Sequence, residues 1–339
     1  MELIKTSEKI SIKQSAYIDE LVNRFELQDA RGKSSPYFDT KDMFMWGGDD
    51  KISKPYRQLI GSLQYCANCT RPDILFPVNF LARFNQDPRE RHWMAAKSIL
   101  RYLKETRDYA IEYTRGEKTI KAYSDSDFAN DPEQRQSTSG GIILVARGPI
   151  IFLSRRQTLV GLSSTESEYV AACEITRELT WLKQFLSELN IEMGTPVLNL
   201  DNQSTIKQIQ NGDTNRRNKH VDIKYHFVRK AFQDELFKLN YTPTGEQIAD
   251  FLTKNLNGNK LKELVTKSGI NTGNQGSLKM GKPAIISLLV ITALGMSMVS
   301  EGIKFRKADP ILWVPSQYYI DIGVNYYNIE YTYSSPCDA

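Results

Sequence analysis

The chain has 339 residues, which is enough for two domains at ~100–200 residues each. Its hydrophobic content of 40% and charged content of 25% exclude wholesale disorder and are typical of a globular protein. The formal net charge of +4 permits a nucleic-acid partner without requiring one. The 4 cysteines are widely spread, which excludes a disulfide framework and favours a cytoplasmic or nuclear location for most of the chain.

Residues 1–115 carry mainly helical periodicity. Apolar residues recur at steps of three and four over 15–25 and again over 88–106, and a further helical set is predicted over 54–86. A polar loop rich in glycine and aspartate lies between them. The region offers no nucleophile paired with a base and no phosphate-binding glycine loop, so we interpret it as a scaffold or substrate-holding element.

Residues 118–267 change to a different pattern. Short β-rich runs at 120–126, 141–146 and 149–154, the last two joined by a tight turn at Arg147 and Gly148, precede a long amphipathic helix at about 165–189. Strands at 196–200 and 236–241 then alternate with helices near 204–210, 221–235 and from 247 onward. This order predicts an α/β fold with a mixed five-stranded sheet flanked by helices.

Four carboxylates occupy positions at which this architecture can bring them together. Asp125 lies in the first strand, Asp201 directly follows the strand at 196–200, and Asp250 lies early in the last helix. The fourth, Glu168, lies in the first turn of the long helix. Ligands of α/β sheets bind outside the carboxyl ends of the strands, which is where Asp201 is expected.

The helical period distinguishes Glu168 from its neighbour Glu166. Glu168 lies one turn before Ala172 and therefore shares the apolar face that packs on the sheet, whereas Glu166 points elsewhere. An alternative interpretation is that Thr165 and Glu168 form a capping box.

Four converging carboxylates require compensation because buried carboxylates repel one another. Hard oxygen ligands suit Mg²⁺ or Mn²⁺, and two such ions ~3.5–4 Å apart can activate water and stabilise the leaving oxygen of a phosphodiester. The alternatives are a polar strand end for Asp125 and a solvated helix face for Asp250.

Six sequence blocks resemble the ribonuclease H domain of copia-type retrotransposons over about residues 120–267. They are "YSDSDFAND", "RQSTSGGIILV", "LSSTESEYVAACEITRELTWLKQFLSEL", "LDNQSTI", "NKHVDIKYHFVRKAF" and "EQIADFLTKNL". The resemblance implies a ribonuclease H-like fold and hydrolysis of the RNA strand of RNA–DNA hybrids with two Mg²⁺ ions, with Mn²⁺ as an alternative. The family's catalytic and metal-binding carboxylates match Asp125, Glu168, Asp201 and Asp250.

The order of the carboxylates separates this family from integrases and transposases, which share the fold. In those enzymes the glutamate follows both aspartates, whereas here Glu168 comes second. The segment before Asp250 offers no histidine, so a mobile histidine there is not expected.

The first region resembles the end of the reverse transcriptase of the same elements. The blocks "KPYRQLIGSLQYCANCTRPDILFPVNFLARF" and "HWMAAKSILRYLKETRDYAIEY" are similar to its thumb and connection segments. The polymerase Tyr-x-Asp-Asp block does not occur in these 339 residues, so polymerase activity is not expected. The rest of a retrotransposon polyprotein is an expected partner.

Basic residues near the predicted site can bind the phosphates of a hybrid. The candidates are Arg155, Arg156, Arg216, Arg217, Lys219, Lys224, Arg229 and Lys230. The alternative is a solvated helix whose apolar face carries Ile223, Phe227 and Val228. Cys66 and Cys69 have zinc or redox spacing, but the chain lacks a second cysteine pair, so we expect a reduced pair on a helix.

The C-terminal part differs in composition. A polar linker at 271–282 precedes 18 residues without a charge, "PAIISLLVITALGMSMVS" at 283–300, and a Tyr-rich tail at 301–339. We interpret 283–300 as a transmembrane or internal signal segment, and a buried core helix is the alternative. Two functional hypotheses compete with the nuclease: a catalytically idle nucleic-acid-binding remnant of a mobile element, and a membrane-anchored fragment whose nuclease part is idle.

Overall fold

Two five-stranded sheets organise the protein in a computed structural model, which describes residues 1–45, 52–211, 219–272 and 278–279. The strands are β1 (Glu2–Lys5), β2 (Lys9–Lys13), β3 (Tyr109–Thr114), β4 (Ile120–Asp127), β5 (Thr138–Val145), β6 (Gly148–Arg156), β7 (Val197–Leu200), β8 (Lys238–Tyr241), β9 (Ile270–Thr272) and β10 (Leu278–Lys279). The α-helices are α1 (Ser15–Arg24), α2 (Tyr56–Cys69), α3 (Leu75–Ala82), α4 (Glu90–Glu105), α5 (Ser164–Glu188), α6 (Gln203–Asn211), α7 (Lys219–Gln233) and α8 (Gly258–Lys267). Short 3-10 helices cover Asp42–Phe44, Pro72–Ile74, Thr244–Glu246 and Ile248–Leu252.

The second sheet confirms the predicted mixed five-stranded sheet with flanking helices. Its strand order is β6-β5-β4-β7-β8. The pairs β4–β5 and β5–β6 are antiparallel, whereas β7 is parallel to β4 and β8 is parallel to β7. The parallel strands are those that helices connect, because a parallel pair needs a crossover while an antiparallel pair needs only a turn.

Helix α5 packs on β4 and β5 through its apolar face. Ile175 and Leu179 on this face are at most 1% exposed. A Cβ atom at Gly141 would lie 2.2 Å from Ile175 Cδ1, so the absence of a side chain at this position lets the helix approach β5.

The turn between β5 and β6 differs by one residue from the prediction. Ala146 and Arg147 have φ angles of 51° and 70°, and Gly148 already begins β6. Positive φ at both central residues suits a two-residue hairpin, since it matches the twist of the flanking strands. The prediction assigned the turn to Arg147 and Gly148 because glycine is the residue that usually tolerates positive φ.

The first sheet was not predicted from the sequence. Helices α1 to α4 form most of the regular structure in residues 1–115, as expected, but the antiparallel strands β1, β2 and β3 also lie there. β9 pairs with β3, so Asn271, which we assigned to a linker, lies opposite Ala110. Strands of 4 to 6 residues next to strongly periodic helices give too short a pattern to recognise.

A buried ion pair in the segment after α2 forms hydrogen bonds with the end of α4. Arg71 is 0% exposed, and its Nη2 lies 2.7 Å from Asp73 Oδ2. Arg71 Nη1 donates to the Thr106 carbonyl at 3.0 Å, and the Tyr102 hydroxyl donates to Asp73 Oδ2 at 2.7 Å. Each charge therefore has a partner inside the core, which buried charges require.

No helix in residues 1–45, 52–211 or 219–272 is long and apolar enough to cross a membrane. The predicted transmembrane or signal segment at 283–300 and the tail at 301–339 lie outside the described residues.

The Asp73→Ala substitution is expected to lower the free energy of unfolding by about 3–5 kcal/mol, because it leaves the Arg71 guanidinium buried without its counter-ion. Urea unfolding followed by circular dichroism measures this loss. The matched control is Glu90→Ala, which removes an exposed ion pair with Lys54 and should cost less than about 1 kcal/mol. Equal effects of the two substitutions would contradict the prediction.

Candidate metal centre

Asp125 and Asp201 lie at the same edge of the second sheet. In the parallel pair β4–β7, Tyr123 lies opposite Asn199, and each aspartate follows two residues later. Both therefore lie close to the carboxyl ends of these neighbouring strands, as the sequence predicted for Asp201. Asp125 is 2% exposed, whereas Asp201 is partly exposed at the edge.

Glu168 reaches the same edge from the first turns of α5. It is 7% exposed, and its Oε1 accepts a hydrogen bond from the Ser126 backbone N–H at 3.2 Å. Its Oε2 is buried and has no hydrogen-bond partner among the described residues. The prediction that Glu168 faces the sheet is confirmed, because α5 packs on β4 along this face.

The alternative interpretation, a capping box formed by Thr165 and Glu168, is wrong. Ser163 is the N-cap of α5, and its side chain accepts a hydrogen bond from the Glu166 backbone N–H at 3.2 Å. Glu166 Oε2 in turn accepts from the Leu162 backbone N–H at 2.8 Å. Glu166, and not Glu168, therefore carries the capping role, which leaves the Glu168 carboxylate available to the sheet edge.

Asp125, Glu168 and Asp201 form a carboxylate triad. Each offers an oxygen, and the three oxygens lie within 4.8 Å of one another. Three converging hard oxygen donors fit a divalent cation, and one of the three residues, Glu168, also carries a buried oxygen without a hydrogen-bond partner among the described residues.

The electrostatics of the triad favour a cation. Burial, together with repulsion from Asp125 and Asp201, raises the pKa of Glu168 to about 10. Burial and the Asp125 charge also raise the pKa of Asp201. Both shifts express the free-energy cost of holding several negative charges in a poorly solvated place, and a bound cation would reverse that cost.

Asp250 lies beside the triad but is not one of its three members. It occupies a 3-10 helix instead of the predicted α-helix, and it is 6% exposed. Its Oδ1 lies 3.2 Å from Lys254 Nζ. Burial and the Asp125 charge raise the pKa of Asp250 to about 7, although Lys254 opposes the shift.

Two residues at the site were missed by the sequence analysis. Lys254 Nζ lies 3.6 Å from Asp125 Oδ2, and the Thr253 hydroxyl donates a hydrogen bond to the same oxygen. The four-residue spacing of Asp250 and Lys254 was a usable signal, because a carboxylate and a lysine so spaced on a helical segment can pair.

Two curated relatives match most of the chain. The retrovirus-related Pol polyprotein from transposon TNT 1-94 of Nicotiana tabacum is 37% identical over 271 residues, which cover 77% of this chain and 20% of that protein. The Pol polyprotein from transposon RE1 of Arabidopsis thaliana is 35% identical over 265 residues, which cover 77% of this chain and 18% of that protein. The chain belongs to the copia-type retrotransposon Pol polyproteins.

This Pol chain spans about a fifth of the length of the two relatives. No protein-family model matches it. Among solved structures, the N-terminal RNase H domain of a Mycobacterium tuberculosis protein, fused to maltose-binding protein, aligns with a TM-score of 0.30 and 12% identity. The alignment covers 44% of this chain and 98% of that one.

Helix α7 of the Pol chain packs against α5. The Tyr169 hydroxyl donates to the Tyr225 carbonyl at 3.1 Å, and the centroids of the two rings are 3.9 Å apart. Val228 is fully buried, whereas Ile223 is 69% exposed and does not belong to the predicted apolar face.

The predicted basic residues do not form one uniform group. Lys224 and Arg229 are partly buried on α7, and Lys230 is exposed there. Arg155 is exposed near the end of β6, but Arg156 Nη1 forms an ion pair with Asp131 at 2.9 Å. Arg216 and Arg217 lie outside the described residues, as does the side chain of Lys219.

Cys66 and Cys69 lie on α2 as free thiols, as expected. Burial raises the pKa of Cys66 to about 12 and that of Cys69 to about 11. Thiols with raised pKa values are poor nucleophiles and poor metal ligands at neutral pH, so the pair gives no support to a zinc or redox site.

The Glu168→Gln substitution is expected to stabilise the metal-free protein by about 1–3 kcal/mol at pH 8. The folded pKa lies above the ordinary value of 4.5, so ionisation is easier in the unfolded chain. Wild-type stability should therefore fall as pH rises from about 5 towards 9, while the substituted protein lacks this penalty. Urea unfolding in EDTA at pH 5 and pH 8 measures the difference.

The stabilisation should be small at pH 5 and should grow at pH 8. Added Mg²⁺ should raise the melting temperature of the wild type more than that of the substituted protein. A difference in unfolding free energy between the two proteins that does not change with pH would contradict the raised pKa of Glu168.

Proposed function

We propose that this chain is a ribonuclease H, which hydrolyses the RNA strand of RNA–DNA hybrids at the triad Asp125, Glu168 and Asp201. The observation that carries the proposal is the approach of three carboxylate oxygens to within 4.8 Å at the edge of the sheet. A group of acids alone is common on proteins. The buried Glu168 Oε2 adds an independent argument, because it lacks a hydrogen-bond partner among the described residues and needs a ligand.

The donors suit Mg²⁺ or Mn²⁺, since all three are carboxylate oxygens. Such an ion would supply an activated water and stabilise negative charge on the leaving oxygen of a phosphodiester. The protein's part is to hold the ligands rigidly. The Ser126 backbone N–H orients Glu168, and the Thr253 hydroxyl orients Asp125.

The sequence order of the carboxylates supports hydrolysis of hybrids over strand transfer. Glu168 lies on α5, between the antiparallel strands and β7, and so precedes Asp201. The comparisons agree with this choice, because both curated relatives are named retrovirus-related Pol polyproteins.

Helix α7 is the proposed contact for the phosphates of the hybrid. It packs on α5, the helix that carries Glu168, so its basic residues belong to the same part of the fold as the triad. Lys224, Arg229 and Lys230 are the described candidates on this helix, and Arg155 is a fourth on β6. Contacts of this kind give salt-dependent affinity without sequence preference.

Cleavage of a labelled RNA–DNA hybrid with Mg²⁺, and none with EDTA, is the direct test. Glu168→Gln and Asp201→Asn should each lower the cleavage rate at least about a hundredfold, because loss of even an outer-shell partner of a metal site can cost that much. Binding of the hybrid, measured by fluorescence anisotropy at low salt, should persist.

The matched control for Glu168→Gln is Glu166→Gln. This residue lies on the same helix two positions away, and its side chain accepts the capping bond from the Leu162 backbone N–H and is not a member of the triad, so cleavage should continue. Undiminished cleavage by Glu168→Gln would refute the site. Binding of the hybrid without cleavage by the wild type would instead favour the idle remnant.

Substituting Lys224 and Lys230 together by alanine should weaken hybrid binding and reduce its salt dependence by about one unit of slope for each lost phosphate contact. The control is Lys238→Ala. Lys238 begins β8 opposite Val197, at the other end of the sheet from Asp201, so its loss should leave the slope unchanged. Equal effects of the two changes would argue against α7 as the contact.

A further inference from the structure

A cationic side chain of the protein itself, Lys254, lies beside the triad. Lys254 Nζ lies 3.2 Å from Asp250 Oδ1 and 3.6 Å from Asp125 Oδ2, so its ammonium group lies between two carboxylates. The side chain is 32% exposed, while the side chains of Asp125 and Asp250 are 3% and 9% exposed. The ammonium thus approaches two buried acids from the solvent side.

The position of this ammonium divides the four predicted carboxylates into two sets. Asp125, Glu168 and Asp201 converge on one another, whereas Asp250 is paired with Lys254. Asp125 belongs to both sets, because one of its oxygens also faces Lys254. A positive charge at such short range, in a poorly solvated place, repels a second cation strongly.

We infer that Lys254 takes the place of a second divalent cation. The site then binds one divalent ion tightly, through Asp125, Glu168 and Asp201, and the Lys254 ammonium neutralises the Asp125–Asp250 pair. A second ion can bind there only by displacing the ammonium. The importance of this arrangement for catalysis rests on the proposed function, but the test below measures ion binding alone.

Neighbouring residues hold Lys254 in its position beside Asp125. Lys254 follows Asp250 by one helical turn, and the intervening Thr253 donates its hydroxyl to Asp125. Thr253 is 0% exposed, so the backbone that carries Lys254 is fixed against the sheet. The segment is fixed further by Asn255, whose Nδ2 donates to the Phe38 carbonyl at 2.9 Å.

The test is calorimetric titration of the full chain with MnCl₂, and separately with MgCl₂. The wild type should bind about one Mn²⁺ tightly. Lys254→Met, which keeps the unbranched chain as far as Cε and removes the ammonium group, should bind a second Mn²⁺ at least about tenfold more tightly than the wild type does. Lys254→Arg keeps the charge and should resemble the wild type.

Thermal melting gives a second measurement. Without metal, Lys254→Met should melt at a lower temperature than the wild type, because Asp125 and Asp250 lose their counter-ion. Mn²⁺ should raise its melting temperature more than that of the wild type. The matched control is Lys267→Met, which removes an ion pair with Glu263 on the surface and should leave Mn²⁺ binding unchanged.

Three results would overturn the inference. The first is that the wild type binds two ions with equal affinity, and the second is that Lys254→Met binds Mn²⁺ as the wild type does. The third is that Lys254→Met stays unfolded in saturating Mn²⁺, since a divalent ion should replace the lost ammonium. None of them depends on cleavage. A wild type that binds one Mn²⁺ but leaves hybrids intact would refute the proposed function and leave this inference standing.

Discussion

Repulsion among buried carboxylates is the constraint on which the functional end of this protein depends. Asp125 and Asp201 are brought together because β4 and β7 are parallel neighbours, and Glu168 is added by the helix that packs across β4. Burial and the charges of Asp125 and Asp201 raise the pKa of Glu168 to about 10, which reflects how unfavourable a third negative charge is at this edge. The grouping therefore costs stability at this edge, and a bound metal ion would offset that cost.

The residues around the triad relieve only part of that repulsion. The Thr253 hydroxyl and the Lys254 ammonium both face Asp125, and Lys254 also pairs with Asp250. Glu168 receives one backbone hydrogen bond, and its second oxygen has none from the described residues. The negative charges of Asp125 and Asp250 are thus partly neutralised by Lys254, whereas the Glu168 carboxylate is not paired with a cation among the described residues.

The first region contacts the segment next to the site, although it contributes no carboxylate to the triad. Ser35 donates its hydroxyl to the Leu256 carbonyl at 2.8 Å, and Asn255 donates to the Phe38 carbonyl at 2.9 Å. Both contacts hold the segment that follows Lys254. Buried residues of the two sheets also belong to one hydrophobic core. A scaffold role for residues 1–115 remains a prediction, and these contacts give it a physical basis.

The sequence by itself determined the mixed second sheet, the long helix and the inward direction of Glu168, because apolar periodicity over a long element leaves few alternatives. It did not reveal β1, β2 and β3, and the pairing of β3 with β9 joins residues more than 150 positions apart. Only the tertiary structure decided that Ser163 and Glu166 cap α5, that Asp250 stands outside the triad, and that Lys254 lies beside Asp125. Distances between side chains depend on how separate elements pack, and a local pattern carries no information about that packing.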